Sequence, residues 1–238
     1  SNTIYKQADG ICAVSDTYGQ RALKVNRKCK METTVYLGTE LSLFNKSSLQ
    51  EPILKKNISE IWIGYCGTLG SSYDLICVID ALHIINDKKI RFIVMGDGPR
   101  EKEFRDYAKN KKVNVIFTGR IKHEQVRSLL SICDIAVNPI THNAAQSIIN
   151  KHADYAAAGL PVISTQESEE YKSLVVKYNM GWNCKNNNPE DVAKKLKVLI
   201  KDEEIRTKMG RNARRCAEEN FDREKTYQKI ITVIEEHK

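Results

Sequence analysis

The feature that most constrains this chain is a regular alternation that begins at Ile61. Short apolar runs recur at Ile61–Tyr65, Ile90–Met95, Val113–Phe117, Ile135–Asn138 and Val162–Ser164, with a weaker one at Gly181–Cys184. Between them stand segments with helical periodicity, at about Tyr73–Asn86, Arg100–Lys111, Lys122–Ile132, Ser147–Ala158 and Glu167–Tyr178. Three more, at about Pro189–Lys201, Glu203–Glu219 and Arg223–Glu236, follow the last run. Strands that are apolar throughout, separated by amphipathic helices, predict a mainly parallel sheet covered on both faces. Right-handed crossovers make such a sheet doubly wound and place its ligand crevice at the carboxyl ends of the strands. Ahead of this block, Gly10–Val14 reads as a strand, Ser15 as the cap of a helix over Asp16–Val25, and Thr33–Tyr36 as a second strand ended by Gly38. Lys46–Glu60 is polar, carries Pro52, and reads as a linker.

At 238 residues the chain has room for one large domain, or one domain with a fragment of another. Hydrophobic residues at 41% and charged ones at 29% exclude wholesale disorder. No apolar run is long enough for a transmembrane helix, and no signal-peptide pattern is present, so a soluble protein is expected. The opening Ser-Asn reads as the scar of a cleaved tag. Seven cysteines without a Cys-x-x-Cys pair argue against a disulfide framework or zinc site and for a reducing cytoplasm. The five histidines show no metal-ligand spacing, so no metal is expected. The formal charge of +8 is spread out; only Arg21, Lys24, Arg27, Lys28 and Lys30 form a basic run free of acids. That run reads as a solvated helix face or as attraction to an anionic membrane or acceptor. No recognisable motif supports nucleic-acid binding.

Three segments converge at the carboxyl edge of the expected sheet. Gly64-Tyr-Cys-Gly67-Thr68-Leu69-Gly70-Ser-Ser72 joins a strand to a helix, where glycines permit close backbone approach and a helix start offers N–H groups to phosphate. A tight turn explains it equally, and it misses the dinucleotide fingerprint because Tyr65 and Cys66 separate its first glycines. In Val94-Met-Gly-Asp-Gly-Pro99, Asp97 reads as a turn former, with ribose binding the dehydrogenase alternative. The third segment runs from Gln146 to Ile163. On a helix, Asn150, Lys151 and Asp154 share a face. Either Lys151 and Asp154 are a plain intrahelical pair, or Lys151 meets a phosphate and Asp154 a sugar hydroxyl.

Residues 61–221 resemble the donor-binding C-terminal domain of family 4 glycosyltransferases. The matching stretches are Gly67-Thr-Leu-Gly70, Val94-Met-Gly-Asp-Gly-Pro99, Val115-Ile-Phe-Thr-Gly-Arg120, Ser131-Ile-Cys-Asp134 with Pro139, and Asp154-Tyr-Ala-Ala-Ala-Gly-Leu-Pro-Val162. Met209-Gly-Arg-Asn-Ala-Arg214 and Asn220-Phe221 fit in turn. The resemblance implies an α/β, Rossmann-like doubly wound parallel sheet forming the C-terminal half of a GT-B fold. It makes residues 1–45 a remnant of the N-terminal acceptor domain with its crossover, 46–60 the linker, 61–221 the donor-binding domain and 222–238 a C-terminal helix. The family's Glu-x7-Glu motif falls on Gln146 and Asp154, so this chain carries Gln-x7-Asp. The pattern Ser147, Asn150-Lys151, Asp154-Tyr155 is similar to the branch that builds bacterial surface polysaccharides.

The resemblance further implies that Asp154 accepts hydrogen bonds from a nucleotide ribose and that Gln146 sits near the donor sugar. Amides at Gly67, Thr68, Leu69, Gly70, Ser147 and Ile148 would face the diphosphate, and Ile121, after Arg120, the nucleobase. Many members carry an Arg and a Lys after the first Gly-rich strand; Thr68–Ser72 has neither, so Lys151 is expected to supply the cation, with Arg120 its competitor. The expected activity is the donor-binding part of a retaining, metal-independent glycosyltransferase with a nucleotide-diphospho-sugar donor and a glycan or lipid-linked acceptor. It would work in the cytoplasm or at the cytoplasmic membrane face, with no cofactor besides its donor and inactive as this fragment. A non-catalytic nucleotide-sugar module, a GT-B-fold sugar-nucleotide epimerase and a nicotinamide-dependent dehydrogenase are the alternatives.

Overall fold

Two sheets carry the strands of the computed structural model, which describes residues 2–26, 28–144 and 147–236. Gln146 and Arg27 lie outside the described residues. The small sheet pairs β1 (Gly10–Ala13) with β2 (Lys30–Thr34) in parallel. They are joined through α2 (Asp16–Leu23), whose expected cap is in place: Ser15 Oγ accepts from the Tyr18 N–H at 3.3 Å. A short α1 (Asn2–Lys6), not foreseen, precedes them. β2 starts three residues before the expected strand, because its pairing with β1 begins at Gly10↔Lys30.

The large sheet has six parallel strands: β3 (Ile61–Cys66), β4 (Ile90–Met95), β5 (Val115–Gly119), β6 (Ile135–Asn138), β7 (Val162–Ser164) and β8 (Gly181–Asn183). Their spatial order is β5-β4-β3-β6-β7-β8, so the winding reverses between β3 and β6, the switch point where doubly wound sheets bind ligands. The intervening helices are α3 (Leu75–Ile85), α4 (Glu101–Asn110), α5 (His123–Leu130), α6 (Asn150–Ala157), α7 (Glu169–Tyr178), α8 (Pro189–Lys201), α9 (Glu203–Asn220) and α10 (Arg223–Glu236).

The uniform apolarity of the strands follows from burial on both faces. Alternate residues of β3 divide between two cores: Trp62 and Cys66 join the one beneath α5, α6, α7 and α9, while Ile63 and Tyr65 join the one beneath α3, α4 and α8. At the amino end of β3 the buried Glu60 is fully engaged. Its carboxylate accepts from Trp62 Nε1 at 2.8 Å, Arg91 Nε at 2.9 Å and Asn57 Nδ2 at 3.2 Å. The bond from Trp62, reinforced by Arg91 and Asn57 against the cost of burial, holds its carboxyl down at about 2.

The stretch before β3 is tied down rather than loose. Two 3-10 turns cover Leu41–Phe44 and Lys46–Ser48, and Lys56 donates to Asp134 at 2.6 Å. The segment after β2 meets the end of the chain: the Thr39 N–H donates to Phe221 O at 2.8 Å and the Arg223 N–H to Thr39 O at 3.1 Å. No disulfide joins any of the seven cysteines, and among the described residues no group of side chains could hold a metal ion. Among them no helix is long and apolar enough to cross a membrane.

Candidate functional site

A cavity of about 840 Å³ opens at the switch point, beyond the carboxyl ends of β3 and β4. Its floor comes from Cys66, Gly67, Thr68, Met95 and Gly96; α6 and the segment before it supply Ile148, Ile149, Asn150, Lys151 and Asp154. Arg120, Ile121 and His123 form a third side, and Val14, Tyr18 and Leu37 reach in from the N-terminal unit.

The two Gly-rich loops are locked together. A Cβ on Gly96, which has φ +139°, would stand 2.1 Å from Gly67 O, so no side chain fits there. The Gly67 N–H donates to Met95 O at 2.9 Å, and the Leu69 N–H donates to Asp97 O at 2.8 Å. Leu69 itself is fully buried in the core, and its carbonyl accepts from Arg100 N. Two of the amides expected to face a diphosphate are therefore spent inside the protein. Thr68 lines the cavity, whereas Leu69 and Gly70 do not. Asp97 sits on the rim, exposed, and works through its backbone carbonyl as a turn residue.

The third segment departs most from expectation. Helix α6 begins at Asn150, not Ser147, because Ile149 is extended (φ −126°, ψ 159°) and Ser147 is held elsewhere. Ser147 Oγ donates to Glu170 Oε2 at 2.7 Å, and Ser147 O accepts from Gln166 Nε2 at 2.6 Å, so Ser147 is buried away from the cavity. The same Glu170 carboxylate accepts from Asp16 N at 2.9 Å and Thr17 Oγ1 at 3.1 Å, which ties the first turn of α2 to this segment. Ile148 does face the cavity. Lys151 is accordingly the second residue of α6, in its first turn, where the helix dipole favours an anion. His152 closes the turn by accepting the Ile149 N–H on Nδ1 at 3.3 Å and stacks on Tyr171 with ring centroids 3.5 Å apart. Burial, with the charge of Lys151 beside it, keeps that imidazole neutral.

Lys151 and Asp154 are not an ion pair. Asp154 Oδ2 is bonded to His123 Nε2 at 3.0 Å, and His123 Nδ1 lies 2.9 Å from Arg127 NH1. Arginine only donates, so Nδ1 is the accepting nitrogen and the Nε2–H donates to Asp154. Arg127 thus fixes the tautomer of His123, and His123 fixes the orientation of Asp154. Neither residue stood out in the sequence; the only signal is a histidine opening the helix after Gly119-Arg120, four residues before an arginine. Lys151 Nζ has no hydrogen-bond partner among the described residues, and burial pushes its ammonium down to about 7. Arg120, its expected competitor, is exposed on the opposite side of the cavity mouth.

Comparison with known proteins identifies the family and the fold. The family model of glycosyl transferases group 1 matches residues 48–216. The chain belongs to the group 1 glycosyl transferases. An uncharacterized glycosyltransferase of Methanocaldococcus jannaschii is 28% identical over 160 residues, which are 67% of this chain and 43% of that protein. A glycosyltransferase from Rickettsia africae superposes with TM-score 0.82 at 18% identity, over 99% of this chain and 66% of its own. HepE of Anabaena, solved in complex with UDP-glucose, gives TM-score 0.80 at 17% identity, over 98% of this chain and 66% of its own. The chain therefore spans less than two thirds of the length of these relatives, and it shares the Rossmann-like α/β fold of the GT-B glycosyltransferases.

Proposed function

We propose that this chain is the donor-binding part of a retaining glycosyltransferase that moves a sugar from a nucleotide-diphospho-sugar to a glycan or lipid-linked acceptor. One observation carries the reading: at the switch point, the first turn of α6 presents a buried lysine without a hydrogen-bond acceptor and, three residues on, a buried carboxylate. A diphosphate and a ribose carry the complementary groups. The neighbouring structure solved with UDP-glucose supports this choice of ligand class.

When the sugar–phosphate bond breaks, its electron pair stays on the departing diphosphate, and stabilising that charge is the task of the donor half. Lys151, in the first turn of α6 where the helix dipole is positive, would do so, while Asp154, steadied by His123, would accept from the ribose hydroxyls. Ile121 would border the base. Gln146 enters only through its place eight residues before Asp154. In this reading residues 1–45 belong to the acceptor-side domain, 46–60 to the linker and 222–238 to the C-terminal helix. The protein would work in the cytoplasm, peripheral to the membrane face, with exposed Arg21, Lys24 and Lys28 toward anionic lipid.

A thermal-shift panel tests the reading, since a ligand that binds only the folded chain raises its Tm. UDP or GDP should raise Tm while NAD leaves it unchanged, and the isolated chain should transfer no sugar. Stabilisation by NAD and indifference to both nucleoside diphosphates would replace the glycosyltransferase with a dehydrogenase.

A further inference from the structure

Lys151 has an unusual seat. The residue is 8% exposed, and its Nζ lies 4.2 Å from the ring centroid of Tyr65 and 3.8 Å from that of Tyr73. A Cβ on Gly67 would come within 2.7 Å of the same nitrogen, so the missing side chain of that glycine makes room for the ammonium. The titratable and charged groups around it leave it uncommitted. Tyr65 and Cys66 of β3 are kept protonated by burial, Cys66 at about 12. On α6, His152 is neutral and one Asp154 oxygen is engaged by His123. Asp97, Arg120 and His123 stand around the cavity, and none of them bonds Nζ.

Aromatic faces attract a cation without occupying its N–H donors, which a carboxylate would do. They offset only part of what burying an ammonium costs, so in the empty cavity its proton is loosely held. We propose that Tyr65 and Tyr73 form an aromatic seat for Lys151, and that a diphosphate entering the cavity completes the ammonium's shell and fixes a proton on it, making donor binding proton-coupled. This rests on the reading of the cavity as a diphosphate site. The balance is simple: the neutral amine takes one proton from solvent as the diphosphate docks, and releases it when the diphosphate leaves. The value of about 7 for Lys151 sets where the coupling shows, because above that pH the empty chain holds mostly the neutral amine.

The experiment is calorimetric titration with UDP at pH 8 in two buffers of different ionisation enthalpy. A terminal phosphate titrates near 6, so UDP arrives fully ionised and any proton taken up belongs to the protein. Uptake should approach one proton in the wild type and vanish in Lys151→Met, which should also bind UDP about 10- to 100-fold more weakly with uridine unaffected. Tyr65 is fully buried, so the partly exposed Tyr73 carries the test of the seat. Tyr73→Leu should weaken UDP about 3- to 30-fold and spare uridine, and Tyr73→Phe should restore wild-type binding. If Lys151→Met loses UDP selectively while Tyr73→Leu matches the wild type, or if no proton is taken up, the seat is wrong and the diphosphate reading stands. Uptake that disappears in His123→Asn instead of Lys151→Met puts the proton on His123 and overturns the inference. If Lys151→Met binds UDP normally, the diphosphate reading itself fails.

Discussion

Two buried charges flank β3, one near each end, and they are treated in opposite ways. Glu60, at the amino end, has three side-chain donors on its two oxygens. Lys151, beside the carboxyl end, has two ring faces and no acceptor. Both groups titrate below their ordinary values, but the meaning is inverted. For the acid, the low value records a charge the fold stabilises; for the base, it records a charge the fold penalises. The difference separates a structural charge, satisfied within the protein, from one whose partner must come from outside. The same division runs through the cavity: the Gly67 loop has spent its Gly67 and Leu69 amides on Met95 and Asp97, while Lys151 at the start of α6 keeps its ammonium unbonded.

The contrast can be broken most forcefully at Glu60. Glu60→Ala should lower the unfolding free energy by roughly 2–4 kcal/mol in urea titration, since it strands Arg91 and the Trp62 indole N–H. A loss below 1 kcal/mol would mean that the cluster is not structural. On the other side, Asp154→Ala should cost about 1.5–3 kcal/mol in nucleoside diphosphate affinity with little change in Tm. Unchanged affinity would reassign Asp154 to packing.

Lys151→Met sharpens the contrast in stability rather than binding. Without nucleotide it should raise the unfolding free energy, by about 1–3 kcal/mol, because an unsatisfied buried donor is removed. The sign with pH is fixed by linkage: between about 7 and the unfolded value of 10.5 the unfolded chain binds the extra proton, so the wild type gains stability there as pH rises. The advantage of the variant should therefore be greatest below pH 7 and fade toward 10.5; a constant advantage would leave no role for the charge. The smallest effect is acid sensitivity. Glu60 contributes stability above 4.5 that is lost as pH falls toward 2, so Glu60→Gln should flatten the acid limb of stability in that window by about 1–2 kcal/mol. An unchanged acid limb would place the lability elsewhere.

The alternation of elements was legible because strands buried on both faces leave no other pattern: the expected β6, β7, α8 and α10 coincide with those found. Local chemistry was enough for the Ser15 cap. What escaped was set by contacts distant in sequence. Ser147 reads as a helix start until Glu170 and Gln166 claim its hydroxyl and carbonyl. β2 took its register from β1 rather than from its own β-branched residues. The Arg127–His123–Asp154 chain joins two helices that no periodicity links, and the aromatic seat of Lys151 needs Tyr65, Tyr73 and the bare backbone of Gly67 in one place.

A crystal structure of the chain with UDP decides whether the unsatisfied end of this contrast is a diphosphate site. A diphosphate oxygen should lie within hydrogen-bond distance of Lys151 Nζ, and the ribose hydroxyls should lie on the Asp154 carboxylate. A nucleotide bound with its diphosphate on Arg120, or outside the cavity at the switch point, would contradict it.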